Sequence, residues 1–561
     1  MRPSLVALIA TVCLVTACRR TTYDVIVRGG TVYDGSGSAP TNSDVAIRGN
    51  RIAEVGNLAA ARGKIEIDAR GLAVAPGFVN MMSSPDTLFE DGRSQSDIRQ
   101  GVTLEIFGEG ESMGPLTADM RKYYLSQQGD IRFPITWTKL SEGLDTLAKH
   151  GVSCNVASFV GAATIRENVM SFANRAPNAT QLSQMQKLVE QAMQEGALGV
   201  ASALIYAPGA YAKTDELTAL AEAAGKHGGI YISHMRSEGN SLLEAVDELI
   251  SIARTAQVPA EIYHLKAGGH DNWGKMDEVI RRVEAARAQG VRVTADMYTY
   301  TAGETGLDAS MPPWVQEGGY YEWAKRLKDP AIRSRVAREM RTPSSTWENL
   351  LLQSGSPDKV LLVAFKNPAL KPLTGKTLAE VARMRGKSPE ETAMDLVIED
   401  GTRVGTVYFV MSEDNLRKQM QLPWVSFASD EESQAPEGVF LKSNPHPRAY
   451  GNFARVLARY VRDEKLIPLT EAIRRLANLP AQNLGLDHRG LLKPGFFADV
   501  VVFDPAKVQD HATYDQPHQY STGVVDVLVN GVEVLKDGEH TGANPGRVLF
   551  GPERTKTATP R

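Results

Sequence analysis

Between roughly residues 76 and 480, the sequence alternates short apolar runs with amphipathic segments of helical periodicity. Examples in chain order are GVTLEIFG, TQLSQMQKLVEQAMQEG, ALGVASALIY, KTDELTALAEAAGKHG and IYISHM. Strands that alternate with helices of about 10–15 residues predict a parallel sheet, and at this length a (β/α)8 TIM-like barrel is favoured. Residues 303–425 are rich in Pro, Lys and Glu and interrupt the alternation, so we expect an insertion there that acts as a lid.

Both ends of the chain carry a second pattern, of short strands separated by Gly and Asn turns. YDVIVRGGTVYDG and DVAIRGNRIAEVG show it near the N-terminus, and ADVVVFDP and VVDVLVNGVEVLKDG show it near the C-terminus. The pattern predicts a small antiparallel sheet. We therefore expect an α/β protein whose barrel, residues 76–480, is inserted into a small β-sandwich domain. That domain is expected to be built from residues 18–75 and 481–550, with a tail at 551–561.

The first residues, MRPSLVALIATVCLVTAC, have one Arg followed by an apolar core that is too short to span a bilayer. This pattern predicts a signal peptide over residues 1–17. The ending resembles a bacterial lipobox, which implies cleavage before Cys18 and lipidation of its thiol; an ordinary signal peptide is the alternative. Acyl chains on Cys18 would hold the protein at a membrane surface. The expected location is the cell envelope, on an outer membrane and facing the periplasm.

Composition excludes several classes of partner. Lys and Arg number 62 against 66 acidic residues, and the net charge is -4. We see no basic stripe for nucleic acid, so a small-molecule substrate is expected, and the sequence leaves the oligomeric state open. Cys154 is the one thiol left for the mature core, where we expect it to be buried and free of any intrachain disulfide.

Two histidines point to the chemistry. His234 in YISHMRSEG and His264 in IYHLKAGG each follow a short apolar run and precede a polar, Gly-containing segment. That is the pattern of a residue at the C-terminal tip of a strand, where barrels carry their active sites. Two imidazoles on neighbouring tips are able to share a metal ion. Lys266 and the acidic strand tip at Asp430 strengthen the prediction of a hydrolytic metal site.

A long, ordered set of motifs resembles the N-acyl-D-amino-acid deacylases, the D-aminoacylase branch of the amidohydrolase superfamily. The resemblance covers nearly all of the mature chain. The motifs are GLAVAPGFV, GALGVASALIYAPGAYAKTDEL, SHMRSEG, YHLKAGG, VTADMYTYTAG, HPRAYGNFARVLARYVRDEKLIPLTEAIRRLANLPAQNLGL, RGLLKPGFFADVVVFDP, PHQYSTGVVDVLVNG and GEHTGANPGRVLF.

The resemblance implies zinc-assisted hydrolysis of an amide, with an acylated amino acid or a related amide as substrate. It assigns His234 and His264 as metal ligands and Asp430 as the catalytic acid and base. It also places Lys266, Tyr298 and Arg448 at the positions that bind the α-carboxylate of the substrate. Arg suits that task because its planar fork donates two parallel hydrogen bonds to a carboxylate.

The sequence departs from the family after APGF, where relatives carry a His-X-His pair. Met82 and Ser84 stand at those positions. Thioether sulfur prefers softer metals than zinc, and a hydroxyl is a weak ligand. We therefore expect one zinc ion per chain rather than two.

A second departure lies in GVTLEIFGEGESMGP, where the family has a cysteine ligand. The cysteine position falls on Gly110, between Glu109 and Glu111. We predict Glu109 as the third ligand because it follows Gly108 at the strand tip, with Glu111 as its competitor. Two histidines and a glutamate are a known ligand set for catalytic zinc.

A third departure places Glu304 where relatives have a serine near the substrate carboxylate. A carboxylate there repels another unless Lys266 and Arg448 compensate. Two alternatives to the deacylase therefore stay open. One is hydrolysis of a cyclic amide or lactone at the same site, and the other is a metal-free binding protein of the envelope.

Overall fold

The computed structural model describes residues 21–557, so the predicted signal peptide and Cys18 lie outside the described range. Both ends of that range contribute to one sheet of nine strands. Strand β18 pairs antiparallel with β5 and thereby joins the two ends, with Val500 opposite Pro76. The strands are β1 (Thr22–Val32), β2 (Thr41–Arg48), β3 (Arg51–Gly56), β4 (Arg62–Asp68), β5 (Ala73–Pro76), β18 (Val500–Phe503), β19 (Val524–Val529), β20 (Val532–Lys536) and β21 (Glu539–His540).

One prediction for this sheet was wrong. Strands β4 and β5 pair with β1 in parallel, so the sheet is mixed rather than antiparallel. The short turns in the sequence fix only neighbouring hairpins, such as β1–β2 and β2–β3. After β3 the chain returns to the other edge of β1, and no turn residue specifies that crossing.

The middle of the chain forms the barrel, and its paired strands all run parallel. Strands β8 and β9 are two parts of one barrel strand, separated only by Phe159, so the barrel has eight strand positions within residues 21–557. These strands are β6 (Phe78–Asn80), β7 (Val102–Phe107), β8 (Asn155–Ser158), β9 (Val160–Gly161), β10 (Gly199–Ala203), β11 (Ile230–His234), β12 (Ala260–Ile262), β13 (Val293–Met297) and β17 (Val425–Phe427).

Side-chain hydrogen bonds close the barrel between its first and last strands. The amide of Asn80, at the end of β6, donates to Ser429 Oγ at 2.7 Å and accepts from the Ser429 backbone at 2.8 Å. The Asp430 backbone N–H then donates to the Met82 carbonyl at 3.1 Å. This seam fixes Asp430 beside the loop that follows the first strand.

Helices surround the barrel, and α5 shows how the sequence sets their ends. Asn178 caps its first turn in a reciprocal capping box with Gln181, and Gly196 ends it in the left-handed region at φ 112°. Met185, Val189 and Met193 recur at helical spacing and are buried against the barrel. The helix is therefore fixed at both ends and along one face.

The α-helices within the described residues are α1 (Gln95–Ile98), α2 (Ala118–Gln127), α3 (Leu140–His150), α4 (Ala162–Met170), α5 (Ala179–Glu195), α6 (Thr214–Gly225), α7 (Leu242–Ala256), α8 (Met276–Ala288), α9 (Tyr320–Arg326), α10 (Pro330–Met340), α11 (Leu350–Gln353), α12 (Leu378–Arg385), α13 (Pro389–Asp400), α14 (Glu413–Met420), α15 (Arg448–Arg455), α16 (Leu469–Ile473), α17 (Leu479–Asn483) and α18 (Pro552–Thr557). Two π-helical segments, Val456–Asp463 and Arg474–Asn478, extend α15 and α16. Across residues 21–557, none of these helices combines the length and apolar character needed to cross a membrane.

Further elements lie between β13 and β17, where the composition predicts an insertion. They include helices α9–α13 and a three-stranded antiparallel sheet in the order β14–β16–β15. Its strands are β14 (Gly303–Gly306), β15 (Val360–Ala364) and β16 (Gly405–Tyr408). The predicted fold, a (β/α)8 barrel with a β-domain from both chain ends, is confirmed. The domain boundaries and the action of the insertion as a lid stay predictions.

Two carboxyl groups, Asp97 on α1 and Glu105 on β7, are buried near the seam. Each leaves one oxygen without a hydrogen-bond partner among the described residues. Burial raises the pKa of Glu105 to about 7. Burial and the charge of Glu105 raise the pKa of Asp97 well above its ordinary value. The barrel wall therefore favours protonated carboxyl groups at this point.

This burial predicts a loss of stability as pH rises. The folded state holds the Glu105 proton more tightly than the unfolded chain, so its stabilising contribution is complete below about pH 4.5 and is lost by about pH 7. The neutral variant Glu105→Gln should have a free energy of unfolding roughly 1–3 kcal/mol higher than that of the wild type between pH 5 and pH 8. Thermal unfolding midpoints at several pH values measure the difference, with exposed Glu222→Gln as control. Parallel midpoints for Glu105→Gln and wild type across this range would contradict the assignment.

Candidate metal centre

Glu109 stands at the end of β7 between two glycines whose backbone conformations a side chain would strain. Gly108 has φ 106° and Gly110 has φ 66°. A Cβ on Gly108 would lie 2.5 Å from the Phe159 carbonyl oxygen, and one on Gly110 would lie 2.7 Å from the Ala203 Cβ. The sequence Gly-Glu-Gly thus lets the loop pack closely against Phe159 and β10, and it places the Glu109 carboxylate over the barrel.

The two histidines lie at the ends of β11 and β12, at the same edge of the barrel as Glu109. His234 is the last residue of β11, and His264 comes two residues after β12. The His264 backbone has φ 34°, in a region that a non-glycine residue rarely adopts. Its N–H donates to Asp296 Oδ1 at 2.7 Å, and this bond holds the strained turn. Both imidazoles are buried, and their ring centroids lie 4.6 Å apart.

These three side chains converge as a candidate metal-ligand set. Oε1 of Glu109 lies 3.1 Å from Nδ1 of His234 and 3.3 Å from Nε2 of His264. One donor atom from each lies within 4.8 Å of the others. Two imidazole nitrogens and one carboxylate oxygen form a donor set of the kind used by catalytic zinc sites, so the residues fit a divalent ion.

Glu238 lies behind both imidazoles. Its Oε1 is 3.0 Å from Nδ1 of His264, and its Oε2 is 3.7 Å from Nε2 of His234. Lys266 Nζ is 2.8 Å from Oε1 of Glu238 and 2.6 Å from Nδ1 of His264. A proton on Nδ1, directed at Glu238, would leave the Nε2 lone pair available to an ion. A carboxylate in this place fixes the orientation and tautomer of a metal-binding histidine.

The charges of these groups depend on one another. Burial opposes ionisation of Glu109, but hydrogen bonds from His234 and His264 outweigh it and lower the pKa of Glu109 to about 2. Burial and Lys266 also oppose a charge on His264, yet Glu238, Asp430 and Glu109 raise its pKa to about 10. The set therefore has enough negative charge to hold cations, either protons or a metal ion.

Asp430 and Arg448 form the other side of the site. Asp430, three residues beyond β17, has φ 56°. Arg448, the buried first residue of α15, places Nη1 2.6 Å from Oδ2 of Asp430, at an angle outside hydrogen-bond geometry. Burial raises the pKa of Asp430, and Arg448 opposes that rise. The Arg448 guanidinium also lies over the ring of Tyr298, 4.5 Å from its centroid.

Tyr298 connects the two cationic side chains of the site. Lys266 Nζ lies 5.4 Å from the same ring centroid that Arg448 covers. The Tyr298 hydroxyl is buried and has no hydrogen-bond partner among the described residues. Lys266, Tyr298 and Arg448 thus form a connected group of potential hydrogen-bond donors. All three predicted carboxylate-binding residues contribute to it.

A cavity of about 570 Å³, which we name the reaction cavity, brings these residues together. Glu109, His234, His264, Lys266, Tyr298 and Asp430 line it. Arg448 lines an adjoining space that also contacts Glu109, Glu304, Asp430 and Met82. The structure therefore gathers every predicted site residue except Cys18, which lies outside the described residues.

The residues that departed from the family pattern have distinct positions. Glu111 lies outside the group of three donor atoms, with its backbone N–H donating to the Glu109 carbonyl at 2.6 Å. Met82 is buried, and Ser84 lines the adjoining space. Glu304 accepts from the His446 backbone N–H at 2.8 Å. Burial raises the pKa of Glu304, while the charge of Arg448 opposes the rise.

The sequence reasoning missed three residues of the site. Glu238 belongs to the SHMRSEG motif, and its position four residues after His234 was the available signal. Tyr206 packs edge-on against His234, with ring centroids 5.3 Å apart. Arg403 from the insertion lies over Tyr206, 4.7 Å from the ring centroid. Arg403 lies far from the other site residues in the sequence, so only the fold reveals its position.

Known proteins resemble this chain over nearly its whole length. The sequence profile of the amidohydrolase family matches residues 66–535. D-aminoacylase of Alcaligenes xylosoxydans xylosoxydans is 33% identical over 532 residues, which cover 94% of this chain and 97% of the relative.

Two solved structures agree with this match. One is a D-aminoacylase studied for the role of its binuclear metal centre, with activation by one metal and attenuation by the second; it is 32% identical with a TM-score of 0.78. The other is N-acyl-D-glutamate deacylase of Bordetella bronchiseptica, bound to zinc and a phosphonate mimic of the tetrahedral intermediate; it is 30% identical with a TM-score of 0.79. Each comparison covers 94% of this chain and 100% of the other.

The sequence, fold and site geometry lead to one assignment. The predicted resemblance to the D-aminoacylase branch is confirmed. The chain belongs to the amidohydrolase family, is similar in sequence and fold to the D-aminoacylases, and is a metal-dependent hydrolase of carbon–nitrogen bonds.

Proposed function

We propose that this protein is a zinc hydrolase of linear amide bonds that removes the acyl group from N-acyl-D-amino acids with one metal ion per chain. The convergence of Glu109, His234 and His264 within 4.8 Å, in the cavity that Asp430 also lines, carries this proposal. The relatives named for D-aminoacylase and N-acyl-D-glutamate deacylase activity support the substrate class.

The protein's own residues would hold the ion and the reacting amide. Glu109 Oε1, His234 Nδ1 and His264 Nε2 are the atoms that face one another. A zinc ion bound there would polarise the amide carbonyl and acidify a water molecule. Glu238 would hold His264 in the tautomer that offers Nε2, and the strained turn at His264 would keep the ring in place.

Asp430 would move the proton. It would accept a proton from the attacking water and deliver it to the nitrogen of the leaving amine. The Arg448 guanidinium lies beside Oδ2 of its carboxylate, and burial favours the protonated form that the second transfer requires. The seam between β17 and β6 fixes the Asp430 backbone, so the carboxyl group would need no rearrangement between the two transfers.

The substrate carboxylate would bind to Lys266, Tyr298 and Arg448. The Tyr298 hydroxyl lacks a partner among the described residues and is available to donate. Lys266 and Arg448 both supply positive charge close to this ring. Glu238 and Asp430 balance those charges, so the substrate would add to existing ion pairs rather than meet isolated cations.

Glu304 favours a second candidate, hydrolysis of a cyclic amide or lactone. It approaches Arg448 from the insertion, and Glu431 Oε1 lies 3.5 Å from Arg448 Nε. These acids compete with a substrate carboxylate for the same guanidinium. A neutral ring substrate would avoid that competition. The retained metal-binding side chains argue against the third alternative, a metal-free binding protein.

We also propose a place in the cell for this activity. The sequence before residue 18 supports a lipid anchor on Cys18 and an outer-membrane site facing the periplasm. An envelope enzyme of this kind would act on acylated amino acids released outside the cytoplasm. Labelling of the mature chain with a fatty acid analogue, and its loss in Cys18→Ala, would test the anchor.

Metal content tests the ligand set directly. Protein purified without chelators should carry about one zinc per chain, as a single three-residue site requires. His234→Ala, His264→Ala and Glu109→Ala should each lose most of that zinc, measured by elemental analysis of folded protein. Glu111→Gln is the matched control and should retain it. Loss of zinc from Glu111→Gln but not from Glu109→Ala would reverse the choice between the two acids.

Asp430→Asn should separate metal binding from proton transfer. An amide has nearly the shape of the carboxylate but accepts no proton, so kcat should fall by roughly 100- to 10,000-fold. Zinc content should match the wild type because Asp430 lies outside the group of three donor atoms. Stopped assays with N-acetyl-D-amino acids give the rate, and near wild-type turnover would remove Asp430 from the mechanism.

A substrate panel distinguishes the two enzymatic candidates. One preparation of zinc-loaded enzyme should release free amine from N-acetyl-D-amino acids faster than from the L-enantiomers, and should leave hydantoins and lactones intact. Chelated protein serves as the control for each compound. Faster opening of the cyclic compounds than of the linear amides would establish the alternative in place of the deacylase.

A further inference from the structure

A second cavity, of about 550 Å³, opens beside the candidate metal centre. Its lining includes Phe89, Phe133 and Trp137, with Ile131, Phe365 and Phe440 around them. We name it the aromatic cavity. Its volume and its aromatic lining are those of a small-molecule pocket.

Three rings of this cavity form a nearly parallel stack. The Phe89 centroid lies 4.2 Å from that of Phe133 and 5.5 Å from that of Trp137, with interplanar angles of 17° and 12°. Trp137 is buried, and its indole N–H donates to the Met113 carbonyl at 2.6 Å. Gln128 fixes the loop through a 3.0 Å hydrogen bond to the Phe133 carbonyl. Phe89 and Phe133 are half-buried and keep part of their surface open. The hydrogen bonds of Trp137 and Gln128 hold the stack in place without a ligand.

The aromatic cavity adjoins the reaction cavity, because the two share part of their lining. Gly108 and Glu111, which lie on either side of Glu109 in the sequence, both line it, and Glu111 also lines the reaction cavity. Ser84 lines it as well, with a small side chain at a position where the family carries an imidazole. An apolar group attached to the reacting carbonyl would reach the stack along this shared lining.

The lining residues also give the direction of the substrate. Lys266, Tyr298 and Arg448 do not line the aromatic cavity. An amide whose carboxylate end binds these three residues must extend its acyl end elsewhere. Gly108, which precedes Glu109 in the sequence, lines the aromatic cavity. The cavity therefore lies on the side of the metal centre that these three residues do not occupy.

Charged groups also border this cavity. Asp130 lies 2.5 Å from Lys371, and the Lys366 ammonium donates to the Ser126 carbonyl at 2.6 Å. Nearer the metal centre are Asp86, Glu111 and Glu432. Burial, aided by the charge of Asp86, raises the pKa of Glu432 to about 8, which favours its neutral form.

We propose that the aromatic cavity binds the acyl group of the substrate and selects aromatic acyl groups over acetyl. The inference rests on the proposed amide hydrolysis and adds the class of acyl group that the site accepts. Ring stacking on Phe89 and Phe133 would supply the selectivity, because an acetyl group has no ring to stack on them.

The test compares two substrates that share one amino acid and differ only in the acyl group. Wild-type enzyme should show a higher kcat/KM for N-phenylacetyl-D-methionine than for N-acetyl-D-methionine. In Phe133→Ala the ratio of the two values should fall about tenfold, which is the size of an aromatic pair contribution. Phe89→Leu, which keeps the apolar volume, should lower the ratio through loss of stacking. Phe496→Ala, an aromatic truncation in the β-domain away from the cavity, should leave the ratio unchanged.

Binding separates this inference from the proposed reaction. Calorimetric titration of zinc-loaded Asp430→Asn with N-phenylacetyl-D-methionine should show binding that weakens about tenfold when Phe133→Ala is added, whether or not the wild type hydrolyses the compound. Absence of hydrolysis alone would overturn the proposed function and leave the cavity assignment supported. Three results would overturn the cavity assignment. They are equal kcat/KM for the two acyl groups, unchanged binding in Phe133→Ala, and a higher kcat/KM for the cationic N-glycyl-D-methionine than for N-phenylacetyl-D-methionine.

Discussion

The site depends on one constraint, the convergence of Glu109, His234 and His264 at the carboxyl edge of the barrel. The three residues come from the ends of three different strands and are far apart in the sequence. Two glycines let the Glu109 loop pack against adjacent backbone, and a strained turn at His264 is held by Asp296. Glu238 then contacts both imidazoles from behind. Backbone strain and buried charge are costly, and the barrel tolerates them here because neighbouring groups fix each residue.

Electrostatic balance extends that constraint across the whole cavity. Glu109 and Glu238 surround the two histidines with negative charge, and Glu238 also engages Lys266. On the other side, Asp430 engages Arg448, and Glu304 and Glu431 approach the same guanidinium. A metal ion would add positive charge where the acids outnumber the cations. The same acids compete with a substrate carboxylate for Arg448, so its binding would depend on Lys266, Tyr298 and Arg448 acting together.

The sequence predicted the parts of this molecule that are governed by local periodicity and strand ends. Alternating strands and helices gave the barrel, and the positions of His234, His264 and Asp430 after apolar runs placed them at one edge. Glu109 followed from its position directly after Gly108. The mixed pairing of β1 with β4 and β5 was missed because no turn residue encodes a return to the far edge of a strand. Glu238 and Arg403 were missed for a related reason: their roles come from contacts with His264 and Tyr206, and those contacts exist only in the folded chain.

The changes after the first barrel strand connect the metal centre to the aromatic cavity. We propose that a second metal is absent here, because Met82 and Ser84 offer a thioether and a hydroxyl where the resemblance expects an imidazole pair. Met82 is buried against the seam, while Ser84 faces the space that joins the centre to Phe89 and Phe133. A serine at position 84, where the resemblance expects an imidazole, would remove a metal ligand and leave a smaller side chain beside the aromatic cavity. The two properties proposed for this enzyme, a single metal and a large acyl pocket, have one structural cause in this reading. Restoring histidine at position 84 would therefore affect both together, whereas truncating Phe133 would affect only the acyl pocket.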